Sequence, residues 1–267
     1  MISINGDKIE QSTYPDGTPS FKYDVPFPVN DCHEANIIWQ FDNMGELFTL
    51  VSLVRHLQEH GYNNRNIALY MPYIPNARMD RVHDTEDVFM LKYFTEVINS
   101  LDLRYVKVLD PHSYVSEGLI NRIRVQTPIE FISRIMSIEN IDTYFFPDEG
   151  AMKRYSSYLN QRPSVFGMKM RDWKTGNITS LEVIGDEELI KDKDILIIDD
   201  ICSAGGTFYF SAKKLKEIGA GNIYLYISHC ENTLLDHMDR LDGLIEKVYT
   251  TNSIYRGDNE RIKVIEL

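Results

Sequence analysis

Two adjacent carboxylates, Asp199 and Asp200, follow an apolar run and lead into a loop that contains Gly205, Gly206 and Thr207. Successive backbone N–H groups of such a loop, with the N-terminus of a following helix, bind phosphate, and glycines allow it to approach closely. Carboxylates are poor ligands for phosphate but good acceptors for the hydroxyl groups of a sugar. The pattern therefore indicates a pocket for a phosphorylated ribose.

The alternative is a strand-to-helix turn in which the acidic residues cap the helix, and an isolated Asp-Asp pair fits that alternative equally well. The complete string, with an apolar strand before it and a hydroxyl residue and helix after it, favours binding. We assign Asp199 and Asp200 to the sugar hydroxyls. The predicted phosphate loop consists of Ser203, Ala204, Gly205, Gly206 and Thr207.

Two further apolar runs also end at polar clusters, Asp110-Pro-His112 and Pro147-Asp148-Glu149. In parallel α/β sheets, ligands bind outside the carboxyl ends of the strands. We therefore expect that these clusters and the Asp199-Asp200 pair could share one site.

From about residue 46, helical patterns alternate with short apolar runs. This alternation predicts βαβ units around a mostly parallel sheet, which must position these residues. Apolar residues at helical spacing predict helices over 46–59, 87–100, 128–137, 151–159 and 208–218, with Gly219 ending the last one. Short apolar runs predict strands over 67–71, 105–109, 143–146, 165–168, 195–198 and 223–227. The alternation is similar on both sides of residue 126, which predicts two like halves, 1–125 and 126–267.

Charge and composition narrow the possible partners. The 267 residues include 28 basic and 40 acidic residues, a net charge of -12, and 43% hydrophobic residues. The acidic balance argues against a nucleic-acid partner, because such binding neutralises many phosphates with Lys and Arg. A nucleotide is still compatible with an acidic chain, since it needs only a local cluster of donors and magnesium held by carboxylates.

The cysteines Cys32, Cys202 and Cys230 are widely spaced and odd in number, which indicates neither a disulfide framework nor a zinc site. The chain shows no apolar run long enough to span a membrane and no secretory leader pattern. We expect a cytoplasmic protein without a membrane partner.

The string from Asp199 to Thr207 resembles the phosphoribosyl-pyrophosphate loop shared by type I phosphoribosyltransferases and ribose-phosphate pyrophosphokinases. The segment from Pro72 to Arg81 resembles the ATP-binding turn of the pyrophosphokinases, which the phosphoribosyltransferases lack. Asp110-Pro-His112 and Pro147-Asp148-Glu149-Gly150 resemble the Asp-x-His and Pro-Asp-x-Gly strand ends of the same family. The order of these motifs along nearly the whole chain favours the pyrophosphokinases.

Two more segments support that resemblance. Lys169-Met-Arg171 resembles a Lys-x-Arg element at the base of a mobile flap, which would here cover residues 172–180. Tyr14-Pro-Asp16-Gly17 resembles a turn that reaches the adenine of a neighbouring subunit, which implies a homodimer or a higher homo-oligomer.

The resemblance implies an α/β fold with two halves of the type I phosphoribosyltransferase kind, each a mostly parallel sheet flanked by helices. The N-terminal half would carry the ATP-binding turn and the C-terminal half the ribose-phosphate loop. The implied reaction is attack of the C1 hydroxyl of ribose 5-phosphate on the β-phosphorus of ATP, with release of AMP.

The resemblance also implies roles for individual residues. Catalytic stabilisation of the transferred group would come from Lys169 and Arg171, with His112 as a base or water-orienting group. Mg²⁺ would lie near His112 and Asp148. The residues implied in ATP binding are Arg78, Arg81 and Asp16.

Several positions depart from the family pattern. Ala204 replaces a hydroxyl residue of the loop, Met79 replaces a glutamine and Thr18 replaces a glutamate. The chain is also expected to lack the first strand-helix unit and the C-terminal helix of the family. A compact variant of this kind makes ADP-ribose 1-pyrophosphate for NAD resynthesis, so ADP-ribose is an alternative acceptor.

Two other functions remain as alternatives. A phosphoribosyltransferase would use Asp199–Thr207 but leaves the first half of the chain without a role. A non-catalytic regulatory relative would have no need of Lys169, Arg171 and His112.

Overall fold

The chain folds into two units, Met1–Thr127 and Pro128–Leu267, which we call the N-terminal and C-terminal units. The structure is a computed structural model that describes residues 1–25, 33–159, 162–171 and 178–267, with the backbone alone at 171, 178 and 179. The sheets of both units are mostly parallel and pack against helices, so the predicted α/β class is confirmed. Among the described residues, no helix combines the length and apolar character needed to cross a membrane.

The N-terminal unit contains helices α1 to α3, which span Gly45–Glu59, Met90–Asn99 and Tyr114–Leu119. Its strands β1 to β8 span Ile2–Ile4, Asp7–Lys8, Gln11–Thr13, Pro19–Phe21, Ala35–Trp39, Ile67–Tyr70, Val106–Leu109 and Ile123–Gln126. The main sheet has the order β2-β1-β5-β6-β7-β8, in which β5 to β8 are parallel, and β3 pairs with β4 as a separate hairpin.

The core of this unit lies between the sheet and α1 and α2. Strand β5 alternates buried and exposed residues, with Ala35, Ile37 and Trp39 buried, as expected for a strand with one face on the core. Helices α1 and α2 bury their apolar stripes in the same cluster. This packing fixes the ends of β6 and β7, from which the segment 72–81 and His112 emerge.

Helix α2 begins at Met90, three residues later than the sequence predicts. The carboxylate of Asp87 accepts a hydrogen bond from the backbone N–H of His83 at 2.8 Å, which closes a turn before the helix. Val88, in the first turn of the predicted helix, is 51% exposed. The predicted start at Asp87 was wrong because Asp87 closes the preceding turn.

The C-terminal unit contains helices α4 to α6, which span Ile129–Ile138, Glu149–Tyr155 and Gly206–Ile218. Its strands β9 to β15 span Thr143–Phe146, Ser164–Arg171, Ile178–Ile184, Ile195–Cys202, Ile223–Cys230, Lys247–Thr251 and Ile262–Ile265. Two 3₁₀ segments cover Glu187–Leu189 and Asn232–Leu241.

The strand order of this unit is β11-β10-β9-β12-β13-β14-β15, and every pairing is parallel except that of β10 with the edge strand β11. The chain leaves β9 toward β10 on one side and returns to β12 on the other. Strand order therefore reverses between β9 and β12, and such a switch point opens a ligand-binding crevice at the carboxyl ends of the strands.

Strand β12 extends from Ile195 to Cys202, beyond the predicted end at Ile198. Strand β13 continues beside it and pairs Ile201 with His229 and Cys202 with Cys230. The two aspartates therefore lie within the strand, and the prediction that the strand ends before them was wrong. Cys202 and Cys230 are buried free thiols, and Cys32 lies outside the described residues.

Candidate active site

The loop between β12 and α6 has the backbone of a phosphate cradle. Gly205 has φ of 76°, and a Cβ there would lie 2.8 Å from Cδ1 of Leu234, so both conformation and space require glycine. A Cβ on Gly206, the first residue of α6, would meet nothing within 4 Å. The first N–H groups of α6 have no acceptor within the helix, and their partial positive charge suits an anion.

Hydroxyl groups of the loop come from two parts of the chain. Ser203 Oγ lies 3.4 Å from Oγ1 of Thr233, which belongs to the 3₁₀ segment after β13. Thr207 lies in the first turn of α6, whereas Ala204 offers no hydroxyl. Thr233 was not predicted from the sequence, because no local spacing connects it to the loop.

The carboxylate pair of β12 is strongly desolvated. Asp200 is 2% exposed, and its Oδ1 lies 2.9 Å from Nη1 of Arg154 on α5. Asp199 Oδ1 accepts a hydrogen bond from the backbone N–H of Asp200 at 3.0 Å. Burial and, next, the charge of Asp200 raise the pKa of Asp199 well above that of an ordinary carboxyl group.

At the end of β9, Asp148 joins this region to β10. Its Oδ1 caps α5 by accepting from the N–H of Ala151 at 2.9 Å, and its Oδ2 lies 2.7 Å from Nζ of Lys169. Burial acts to raise the pKa of Asp148, but the charge and hydrogen bond of Lys169 hold it below the ordinary value. A Cβ on Gly167 would lie 2.8 Å from the carbonyl oxygen of Pro147, so glycine is what allows β10 to approach the Pro147 turn.

A cavity of about 520 Å³ lies beside the Lys169–Asp148 pair. Besides these two residues, its lining includes Glu149, Phe166, Gly167, Met168 and Ile184. This volume is within the range of small-ligand pockets, and Lys169, only 11% exposed, is its cation.

Arg171 lies two residues beyond Lys169 on β10, and its backbone pairs with Ile178 of β11. Its side chain lies outside the part of the chain that the structure describes. Residues 172–177 of the predicted flap also lie outside the described residues. The last three residues of that predicted flap, 178–180, begin strand β11. The predicted C-terminal boundary of the flap therefore lies inside a strand.

These contacts form one charge cluster of three carboxylates and two cations. Lys169 pairs with Asp148 and Arg154 pairs with Asp200, while the charge of Arg154 also acts on Asp148 and Asp199. Every member except Arg154 was predicted from the sequence. Arg154 belongs to no recognisable short motif, and only the packing of α5 against β12 brings it to the pair.

In the N-terminal unit, the segment after β6 forms a separate cavity of about 340 Å³. Its lining combines basic, acidic and apolar residues: Arg78, Met79, Asp80, Arg81, His83, Asp87, Val88 and His112. The structure thus brings the predicted ATP-binding residues Arg78 and Arg81 to the same cavity as His112.

Asp80 organises the turn at this cavity. Its buried carboxylate accepts hydrogen bonds from Nε of Arg81 at 2.8 Å and from Nη2 of Arg81 at 3.3 Å. Burial acts to raise the pKa of Asp80, but the hydrogen bonds and the charge of Arg81 hold it below the ordinary value. The guanidinium group is anchored on one side while the Arg81 side chain remains 62% exposed.

Asp16 lies at the tip of the β3–β4 hairpin, where Gly17 has φ of 87°. Its Oδ1 accepts from Oγ1 of Thr18 at 2.6 Å and from the N–H of Thr18 at 3.0 Å, and these bonds lower the pKa of Asp16. Tyr14 beside it is 59% exposed. The turn that is predicted to contact adenine is therefore exposed.

The described residues contain no group of three or more His, Cys, Asp and Glu side chains that could hold a metal. Magnesium is commonly held by one or two carboxylates together with substrate phosphates and water. Asp148 fits that type of site, since it offers hard oxygen ligands and its side chain is 42% exposed. The imidazole of His112 is a less typical ligand for magnesium.

Comparisons with known proteins agree with this geometry. The ribose-phosphate pyrophosphokinase of Porphyromonas gingivalis is 27% identical over 235 residues, which cover 85% of this chain and 72% of the relative. The enzyme of the same name from Sulfurisphaera tokodaii is 23% identical over 275 residues, covering 100% of this chain and 91% of the relative. No family model matches the sequence.

The crystal structure of phosphoribosylpyrophosphate synthetase from Mycobacterium smegmatis has the same fold. It superposes with a TM-score of 0.77 at 18% identity, covering 97% of this chain and 86% of that one. The chain is thus similar to ribose-phosphate pyrophosphokinases along most or all of its length. The predicted resemblance to that family, the phosphoribosyltransferase-like fold and the class of pyrophosphotransferase enzyme are therefore confirmed.

Proposed function

We propose that this pyrophosphokinase transfers the β,γ-pyrophosphoryl group of ATP to the C1 hydroxyl of ribose 5-phosphate. The C1 oxygen forms a bond to the β-phosphorus, and the bond from that phosphorus to the α,β-bridging oxygen breaks. AMP leaves with that oxygen, and the proton of the C1 hydroxyl passes to a base or to water. The products are phosphoribosyl pyrophosphate and AMP.

The observation that carries this proposal is the position of the phosphate cradle and carboxylate pair at the switch point of the C-terminal unit. The loop Ser203–Thr207 would bind the 5′-phosphate through its N–H groups and the N-terminus of α6. Asp199 and Asp200, at the carboxyl end of β12, would accept from the sugar hydroxyls. Together they would hold the C1 oxygen in line with the β-phosphorus.

Lys169 and Arg171 are our candidates for stabilising the transferred group. Phosphoryl-type transfer depends mainly on alignment and on neutralising the charge of the equatorial oxygens. Lys169 is largely buried and held in place by Asp148, so its ammonium group is preorganised for a pyrophosphate beside it. Arg171 follows two residues later on β10, where the pairing with β11 shifts register.

ATP and magnesium complete the proposal. Arg78 and Arg81 would anchor the nucleotide, and Asp16 would contact adenine in a homodimer or a higher homo-oligomer, as the family resemblance implies. When bound, Mg²⁺ neutralises the ATP oxygens. Asp148 would hold it, with His112 assigned to the metal or to a water-orienting role. We place the enzyme in the cytoplasm.

A second acceptor, ADP-ribose, is favoured by one feature of the loop. A phosphate monoester has more charge to satisfy than the diester-like phosphate of ADP-ribose, which also needs room for its second substituent. Ala204 removes a hydroxyl donor, and the space around a Cβ on Gly206 is open. The product would then be ADP-ribose 1-pyrophosphate, a precursor for NAD resynthesis.

The test is to incubate the protein with ATP and magnesium, and with ribose 5-phosphate or ADP-ribose in parallel, and to follow AMP by chromatography. We expect AMP and a pyrophosphorylated sugar in equal amounts with ribose 5-phosphate. If product forms with ADP-ribose but not with ribose 5-phosphate, ADP-ribose is the acceptor. Absence of AMP with both would contradict it and favour a phosphoribosyltransferase or a regulatory relative.

A further inference from the structure

Arg154 of α5 is a cation held inside the C-terminal unit for which the proposed reaction has so far no role. Its side chain is 15% exposed, and its Nη1 contacts Oδ1 of Asp200, whose side chain is 3% exposed. The guanidinium carbon also lies 5.2 Å from the ring centre of Tyr155. A guanidinium group with this little exposure is held in one place by its surroundings.

The neighbouring carboxylates explain why a cation is needed there. Asp199 and Asp200 are adjacent in the chain, and the charge of Asp148 acts on the same pair. Buried like charges oppose one another's ionisation, and a protonated carboxyl group has lost acceptor capacity. The charge of Arg154 acts in the opposite direction on Asp199 and on Asp148.

Strand alternation gives the two aspartates different surroundings. Asp199 lies on the face of β12 that it shares with Ile195 and Ile197, which pack in one cluster with Phe208 of α6. Asp200 lies on the opposite face and contacts Arg154 of α5. A contact to Asp200 from its own side of the sheet fixes that carboxylate and leaves Asp199 on the side of the phosphate loop.

We propose that Arg154 is a positioning residue for ribose recognition, which holds the carboxylate of Asp200 in one orientation so that the carboxylate pair can accept from the sugar hydroxyls. This inference rests on the proposed function of the pair. Arg154 acts through Asp200, so its loss should weaken binding of the ribose phosphate and leave ATP binding unchanged.

Lys153 provides a matched control on the same helix. It is 66% exposed and pairs with Glu149 at 2.8 Å on the surface, one residue from Arg154. Lys153→Gln removes the same charge as Arg154→Gln but touches no member of the cluster. Arg154→Lys keeps the charge but loses the planar fork of the guanidinium group.

The experiment compares the full chain with Arg154→Gln, Arg154→Lys and Lys153→Gln. The KM of each substrate is measured, and calorimetry gives the Kd of the sugar acceptor without ATP, using ribose 5-phosphate and ADP-ribose as probes. For Arg154→Gln we expect acceptor KM and Kd to rise about tenfold or more, as for a lost charged hydrogen bond, with the KM of ATP unchanged. Arg154→Lys should restore part of the affinity, and Lys153→Gln should match the unmodified chain.

A double-mutant cycle with Asp200→Asn sharpens the test. If Arg154 acts through Asp200, the double variant should bind the acceptor no worse than Asp200→Asn alone. Fully additive losses would overturn the inference. So would acceptor affinity in Arg154→Gln equal to that in Lys153→Gln, or equal losses for ATP and acceptor that Arg154→Lys does not restore.

Failure of the proposed function would be visible separately. In that case the unmodified chain would produce no AMP with either acceptor, whereas the calorimetric comparison would still report whether Arg154 supports acceptor binding.

Discussion

The two units hold the cations of their candidate sites in different ways. In the C-terminal unit, Lys169 and Arg154 are 11% and 15% exposed and each is paired with a carboxylate of one cluster. In the N-terminal unit, Arg81 is 62% exposed and is anchored on one side by the buried Asp80. The C-terminal unit thus has a buried network of ion pairs, whereas the N-terminal unit has an exposed arginine held by one buried carboxylate.

Strand order is the origin of this difference. The order reverses between β9 and β12 in the C-terminal unit, which places Asp148 and the Asp199–Asp200 pair at the ends of neighbouring strands. In the N-terminal unit the parallel strands β5 to β8 follow one another in a single direction, and the basic residues lie on a turn. Desolvated and preorganised charges suit a transition state, whereas exposed ones suit capture of a flexible nucleotide.

The largest effect is expected from Lys169→Ala. Loss of a preorganised charge at the transferred group should lower kcat about 100- to 1000-fold, while the KM of ATP changes little. Steady-state kinetics with ATP and the acceptor measure both constants. Lys214→Ala is the control, since Lys214 on α6 forms a surface pair with Glu217 at 3.8 Å. An unchanged kcat would remove Lys169 from the transition state.

Asp200→Asn should act on the acceptor instead of on turnover. A hydrogen bond to a charged group contributes about 1.5–3 kcal/mol, so the KM of the acceptor should rise about 10- to 100-fold. ATP affinity should stay constant, and titration of each substrate separates the two. The exposed Asp236 provides the control Asp236→Asn. Equal losses for both substrates would point to a general disruption of the fold.

Arg81→Gln tests the N-terminal unit. Glutamine can still donate to Asp80, but the positive charge is lost, so the KM of ATP should rise about tenfold while that of the acceptor does not change. The exposed Arg65 gives the control Arg65→Gln. If Arg81→Gln weakened acceptor binding instead, the assignment of ATP to this turn would be contradicted.

The smallest effect concerns stability. The pKa of Asp199 is raised in the folded protein, so ionising this group costs folding free energy as pH rises from the ordinary carboxyl value of 3.8 through the raised one. Asp199→Asn removes that cost, and the variant should melt a few degrees higher than the unmodified chain at pH 7.5. The difference should vanish below pH of about 3.8, where both states are protonated. Melting curves at several pH values test this, and a lower Tm at pH 7.5 would contradict it.

Much of the regular structure could be predicted because its signals are local. Strand β9 matches the predicted Thr143–Phe146, and α6 ends at Gly219 with φ of 104°, as helix-stop chemistry indicates. Strand β12 was predicted too short, because apolar runs reveal buried residues and not the backbone pairing that carries a strand through two aspartates. The short strands β1 to β4 were missed, because two or three residues cannot show a period.

The residues of the candidate site also differ in whether they have a local signal in the sequence. Its loop and acidic residues lie close together in sequence at strand ends, so their chemistry could be predicted from the order of residue types. Arg154 and Thr233 reach the site only through packing and have no signal of their own. Residues that reach the site only through packing could thus be found in the structure but not in the sequence.

Attack on the β-phosphorus of ATP is tested most directly by the position of a label. ATP labelled at the γ-phosphorus is incubated with magnesium, the protein and the acceptor that gives product, and the products are separated. We expect unlabelled AMP and all transferred label in a sugar pyrophosphate. Labelled sugar monophosphate with ADP would show attack on the γ-phosphorus and would contradict the account.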